Sequence, residues 1–133
     1  MDTNPDILLI DDSGPEGQVL QMLAENAGLP NRVVLASSGT AALAYLNDRL
    51  EPLPGLALLD INMPGMSGLQ TLTAIRASKT PQIAALPVII LSTSGTAADR
   101  EAASQLNVLD YVVKASTMTE YREFVDRLPG YLS

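Results

Sequence analysis

Asp11-Asp12, Asp60, Ser92-Thr93 and Lys114 each stand at the end of a short apolar run. The runs are Ile7 to Ile10, Leu56 to Leu59, Val88 to Leu91 and Tyr111 to Val113. One aspartate after a strand is by itself a turn or helix-cap residue. Carboxylates, hydroxyls and an ammonium at four strand ends are a different matter, because a common sheet would bring them to one rim. Three carboxylates gathered there repel one another, at roughly 4 kcal/mol per pair for a separation of about 4 Å and an effective dielectric near 20. A lysine offsets part of this repulsion, and a hard divalent cation with oxygen ligands would offset the rest. A few protein carboxylates completed by water suit Mg²⁺. A carboxylate held beside Mg²⁺ and an ammonium is also a nucleophile toward phosphorus, giving an aspartyl phosphate. The two cations would stabilise the charge on the phosphoryl oxygens during transfer.

The residue types that are missing narrow the chemistry further. The chain contains no histidine, which excludes a histidine base, a histidine metal ligand and a phosphohistidine of its own. It contains no cysteine, hence no disulfide and no thiol chemistry. Its formal net charge of −7 argues against a duplex-DNA footprint, which needs clustered Lys and Arg. No nucleic-acid partner is expected. No apolar run approaches the roughly 20 residues needed to span a bilayer, and the opening MDTNPD is not a secretory signal. A cytoplasmic location without membrane attachment is the expectation.

The elements that must position these residues are legible in the apolar spacing. The four runs above and a fifth, Val33 to Ala36, are continuous rather than alternating, as in strands buried on both faces of a parallel sheet. Between them, Val19, Leu20, Leu23, Ala24 and Ala27 recur at helical spacing, as do Leu43, Leu46 and Leu50, and Leu69, Leu72 and Ile75. Ala98, Ala102 and Leu106 make a thinner stripe; Tyr121, Phe124, Val125 and Leu128 make a strong one. Ser67 with Gln70, and Thr117 with Glu120, read as capping boxes. Pro15 fits a first helical turn, and Gly28 with Pro30 a helix stop. Residues 78–86 read as an extended loop and residues 129–133 as a tail. The alternation predicts an α/β fold: a doubly wound parallel sheet of five strands flanked by five helices. Such a sheet carries its site at the carboxyl ends of its strands.

On these residues the chain resembles the receiver domain of bacterial two-component response regulators, the chemotaxis-regulator-like, flavodoxin-like fold with strand order 2-1-3-4-5. The resemblance rests on ILLIDDS at 7–13, LLDINMPGMSG at 58–68, IILSTS at 89–94 and YVVK at 111–114, and it covers essentially the whole chain. It implies that Asp60 is the phosphoacceptor. Asp12 would be a direct metal ligand, and Asp11 would hold metal-bound water. The Asn62 backbone carbonyl would complete the protein ligands to Mg²⁺, with Mn²⁺ able to substitute. Lys114 would bind phosphate. The switch hydroxyl would be Ser92 or Thr93, with Ser92 preferred because it lies 22 residues before Lys114. Tyr111 would be the aromatic that turns inward on activation. Pro64, Gly65 and Gly68 would shape the loop after Asp60, and Met63 and Met66 would serve packing.

The same resemblance sets expectations about partners. Residues 1–133 would be a single receiver domain with no output domain, not an enzyme beyond assisting its own phosphoryl chemistry. A sensor histidine kinase would supply the phosphoryl group. The loop at 78–86 and the tail resemble stand-alone regulators that serve bacterial phytochromes. The readout surface would be the helix of Ala98 to Leu106, the last strand and the last helix. That face would also make a homodimer, and an unknown downstream protein would read it. Three rival readings are weaker, one of them a degenerate receiver that works without phosphorylation, against which stands the presence of every site residue. A flavodoxin-like flavin module wants a phosphate loop after the first strand, where Asp11-Asp12 stands. An aspartate-nucleophile phosphatase wants a second Asp where Asn62 stands. One departure from the family is Ala115, where receivers usually have a cis proline after the lysine. A cis non-proline bond costs about 2.5–4 kcal/mol, so Lys114–Ala115 is expected trans.

Overall fold

A computed structural model describes residues 4–48, 52–61, 63, 67–92, 96–114 and 116–132. Asn62, Thr93 and the Lys114–Ala115 bond lie outside the described residues, as do Leu50, Pro64, Gly65 and Met66. The elements run β1 (Ile7–Ile10), α1 (Gly14–Asn26), β2 (Val33–Ala36), α2 (Gly39–Asn47), β3 (Leu56–Asp60), α3 (Gly68–Arg76), α4 (Pro81–Ala84), β4 (Val88–Ser92), α5 (Ala97–Gln105), β5 (Asp110–Val113) and α6 (Met118–Leu132). All strand pairings are parallel, and the order is β2-β1-β3-β4-β5.

Alternate side chains of each strand point to opposite faces, and two apolar layers result. Ile7, Leu9, Leu56, Leu58, Ile89 and Leu91 meet α1 and α6 through Leu20, Leu23, Phe124, Val125 and Leu128. Leu8, Ile10, Ala57, Leu59, Val88 and Ile90 meet α2, α3, α4 and α5 through Leu46, Leu72, Ile75, Ile83 and Ala103. The central strands β1, β3 and β4 are buried throughout, as their continuous apolar runs require. β2 and β5 are at the sheet's edges and are only partly buried. Among the described residues, no helix is long and apolar enough to cross a membrane.

The helix boundaries follow local chemistry. Ser13 Oγ accepts the Glu16 N–H at the start of α1, with Pro15 in its first turn. Gly28, at φ +76, ends α1: its N–H donates to the Glu25 carbonyl, and the Leu29 N–H donates to Ala24. This left-handed cap suits glycine because no Cβ opposes it. Ser67 and Gln70 form the expected capping box on α3. At α6 the Glu120 N–H donates to Thr117 Oγ1.

Three expectations are corrected. Residues 78–86 are not wholly extended: they contain a sixth helix, α4, started by Pro81 and seated by the buried Ile83. Residues 129–132 are not a tail but continue α6 through Pro129. Proline removes one helical hydrogen bond there, yet Tyr131 and Leu132 pack on the α1/α6 layer, and the Tyr131 hydroxyl donates to Asp110 Oδ2 at 2.5 Å. Finally, of the stripe Ala98, Ala102 and Leu106, Leu106 packs on the core as expected and Ala102 is half-buried, but Ala98 is exposed and the fully buried residue of α5 is Ala103. Paired alanines at 97–98 and 102–103 leave the phase of that stripe to the tertiary packing.

Candidate functional site

The carboxyl ends of β1, β3, β4 and β5 form one rim, and the ladders of β1, β3 and β5 each extend a residue past the strand end. The Asp11 N–H donates to Ala36, Ile61 N–H to Leu91 and Lys114 N–H to Ser92, at 3.0, 3.1 and 2.6 Å. These bonds place Asp11, Asp60, Ser92 and Lys114 along the same edge. Asp11 and Asp60 are almost fully buried, and Asp12 is exposed. Each of the three carboxylates offers an oxygen within 4.8 Å of the others. The Ser13 N–H donates to Asp11 Oδ1 at 2.9 Å, which holds that carboxylate in place.

Gly68 is necessary to this geometry. A Cβ there would fall 2.4 Å from the Asp60 carbonyl oxygen and 2.5 Å from the Ile61 Cα. The N-terminus of α3 therefore presses against the end of β3, and the Gly68 N–H donates to the Ile61 carbonyl at 3.2 Å. Met63 is buried in the neighbouring apolar layer, as expected of a packing methionine.

Lys114 is the cation of the rim. Its Nζ lies 2.6 Å from Glu16 Oε2, 3.1 Å from Asp11 Oδ2 and 3.4 Å from Asp60 Oδ2. Burial alone would lower its pKa, but hydrogen bonds to Glu16 and Asp11 and the charges of Asp11 and Asp60 raise it well above the usual lysine value. The ammonium is thus firmly charged. Sequence reasoning did not single out Glu16. The available signal was its position one helical turn after Asp12, in a helix that starts from the rim.

Ser92 is fully buried at the end of β4. Tyr111 is half-buried, with the Arg100 guanidinium of α5 4.6 Å from its ring centre. The geometry brings together Asp11, Asp12, Asp60 and Lys114; it leaves Tyr111 beside α5. The donor set fits a hard divalent cation: three oxygen ligands, no nitrogen or sulfur, and one exposed carboxylate through which solvent reaches the site.

A parallel sheet ordered 2-1-3-4-5, with a carboxylate cluster and a lysine at its carboxyl edge, defines an α/β module whose polar site lies at the ends of its strands. Residues 7–126 match the response regulator receiver domain, and the chain belongs to that family of two-component signalling domains. It is similar to the response regulator Rcp1 of Synechocystis sp., with 28% identity over 129 residues, covering 94% of this chain and 86% of Rcp1. The Mn²⁺-bound structure of Rcp1 superposes with a TM-score of 0.84 at 27% identity, covering 97% and 95% of the two chains. The phosphorylated cyanobacterial phytochrome response regulator RcpA gives 0.86 at 27% identity, over 97% and 94%. The bacteriophytochrome response regulator AtBRR gives 0.75 at 28%, over 97% and 94%.

Proposed function

We propose that this chain is a cytoplasmic phosphoacceptor that takes a phosphoryl group onto Asp60 from a sensor histidine kinase. The observation that carries this reading is the placement of Lys114 Nζ between Asp60 and Asp11, within a rim of three carboxylates. An Asp60 carboxylate oxygen attacks phosphorus as the phosphorus–nitrogen bond to the kinase imidazole breaks. The electron pair goes to the imidazole nitrogen, and the new phosphorus–oxygen bond leaves an aspartyl phosphate. This chain has no histidine, so the donor imidazole belongs to the partner.

Mg²⁺, or Mn²⁺ in its place, is the metal that this rim suits, and when bound it supplies positive charge to the phosphoryl oxygens. Asp12 and Asp60 would hold it directly, with the Asn62 carbonyl, and Asp11 through water. The Mn²⁺-bound state of Rcp1 supports the metal, and the phosphorylated state of RcpA supports the modification. Lys114 pairs with a phosphoryl oxygen. The hydroxyl of Ser92, or of Thr93, follows the phosphoryl group, and Tyr111 turns inward, leaving Arg100.

The similarity to phytochrome response regulators supports a bacteriophytochrome-like kinase as the donor. The readout face is α5, β5 and α6, where Leu109, Val113 and Met118 are exposed. A homodimer through this face, and a downstream protein that reads it, belong to this reading, and these exposed apolar side chains support it. Sedimentation that shows only monomer, phosphorylated or not, removes the dimer. Incubation with a small phosphodonor and Mg²⁺ is expected to add one acid-stable, base-labile phosphoryl group. Asp60→Asn is expected to take up none; labelling of that variant at the wild-type rate overturns the assignment.

A further inference from the structure

We propose that Glu16 is a positioning residue for Lys114, tethering its ammonium at the outer edge of the rim until a phosphoryl group on Asp60 draws it away. The inference rests on the phosphoacceptor reading above. Lys114 has its shortest contact with Glu16, at 2.6 Å, and its longest with Asp60, at 3.4 Å. The resting ammonium thus donates to Asp60 Oδ2 only through its longest contact and makes its closest one with Glu16. The two ends of the tether differ in environment: the Glu16 side chain is 45% exposed, the Asp60 side chain 4%.

That difference decides which contact yields. Phosphorylation adds roughly one to two negative charges on the Asp60 side. An ammonium on a flexible four-carbon stem follows the added charge. Water resolvates Glu16 when it lets go, so its ion pair costs little to break. Asp11 stays beside Nζ because the Ser13 N–H and the end of β1 hold it. Glu16 thus competes with the phosphoryl group for one cation, and its loss should favour the occupied state.

The chain has two lysines, Lys79 and Lys114, and Lys79 is exposed. Selective isotopic labelling of lysine therefore yields two side-chain signals, one of them an internal reference. In metal-free protein, Glu16→Gln is expected to move and mobilise the Lys114 signal and leave Lys79 unchanged. In titrations with Mg²⁺ and beryllofluoride, a phosphoryl mimic, Glu16→Gln is expected to bind beryllofluoride about fivefold more tightly, the scale of one exposed ion pair. Glu16→Asp, whose side chain is one methylene shorter, should behave like Glu16→Gln. An unchanged Lys114 signal overturns the tether, as does equal or weaker beryllofluoride binding by Glu16→Gln. Failure of wild-type protein to bind beryllofluoride or accept phosphoryl at Asp60 removes the phosphoacceptor reading itself. That failure is distinguishable, because the Lys114 signal is compared before any metal or anion is added.

Discussion

Two cations hold opposite edges of the same sheet, and they do so in different ways. At the carboxyl edge, Lys114 sits among the carboxylates of Glu16, Asp11 and Asp60. At the amino edge, Arg76 donates to four backbone carbonyls: Nε to Leu106, Nη1 to Ala84 and Leu86, and Nη2 to Asn107. Those carbonyls belong to the last turns of α4 and α5 and the residues after them, where helices leave acceptors without intrahelical donors. Among the described residues Arg76 has no carboxylate partner. Burial lowers its pKa, though guanidinium stays protonated. Carbonyl dipoles do not change charge, and a planar fork of five donors has few ways to redistribute its bonds. Carboxylates gain metals or phosphoryl groups, and a lysine with three rotatable donors can move between them. One edge is tied to acceptors of fixed charge, the other to carboxylates whose charge can change.

The largest stability effect should come from the fixed edge. Arg76→Ala strands several carbonyls at about 1 kcal/mol or more each, and urea denaturation should show a loss of about 3 kcal/mol. Arg76→Lys should recover little, because an ammonium cannot span four acceptors on two helix ends. Saturating Mg²⁺ should leave the deficit unchanged. At the other edge, Lys114→Met leaves Asp11 and Asp60 buried without their cation. In metal-free buffer it should lose about 2 kcal/mol, and Mg²⁺ should restore most of that by binding the folded state. Restoration of both variants by Mg²⁺, or of neither, would dissolve the contrast. A smaller effect tests the corrected end of α6: Tyr131→Phe should lower stability by about 1 kcal/mol in a thermal melt, by removing the donor to Asp110.

The smallest effect is a pH dependence. The folded pKa of Lys114 is raised above its ordinary 10.5. Its contribution to stability is fully present below pH 10.5 and is lost as pH rises through the higher folded value. The stability gap between wild type and Lys114→Met should therefore hold steady to about pH 10 and narrow above it. A gap that is flat to pH 12 would mean that the rim does not favour the charged ammonium.

Much of this molecule was written in its sequence. Continuous apolar runs such as Leu56 to Leu59 and Val88 to Leu91 allow little besides central strands, and the polar residue after each run marks the rim. Gly28 and the Ser67–Gln70 pair set helix ends by local bonds that depend on no distant partner. Where the local signal was weak, distant partners decided. The alanine pairs of α5 left its phase open until Ala103 met the sheet. Proline suggested an end to α6 that Tyr131 and Leu132 overrode by packing. Arg76 and Glu16 are ordinary helix residues in the sequence, one in a last turn and one in a first. Only the folded chain brings Arg76 to carbonyls 8 to 31 residues away, and Glu16 of α1 to the lysine that follows β5. Local bonds and apolar periodicity act within a few residues and can be read there. The partners of a long charged side chain depend on which segments the sheet order places side by side, and that choice belongs to the tertiary structure.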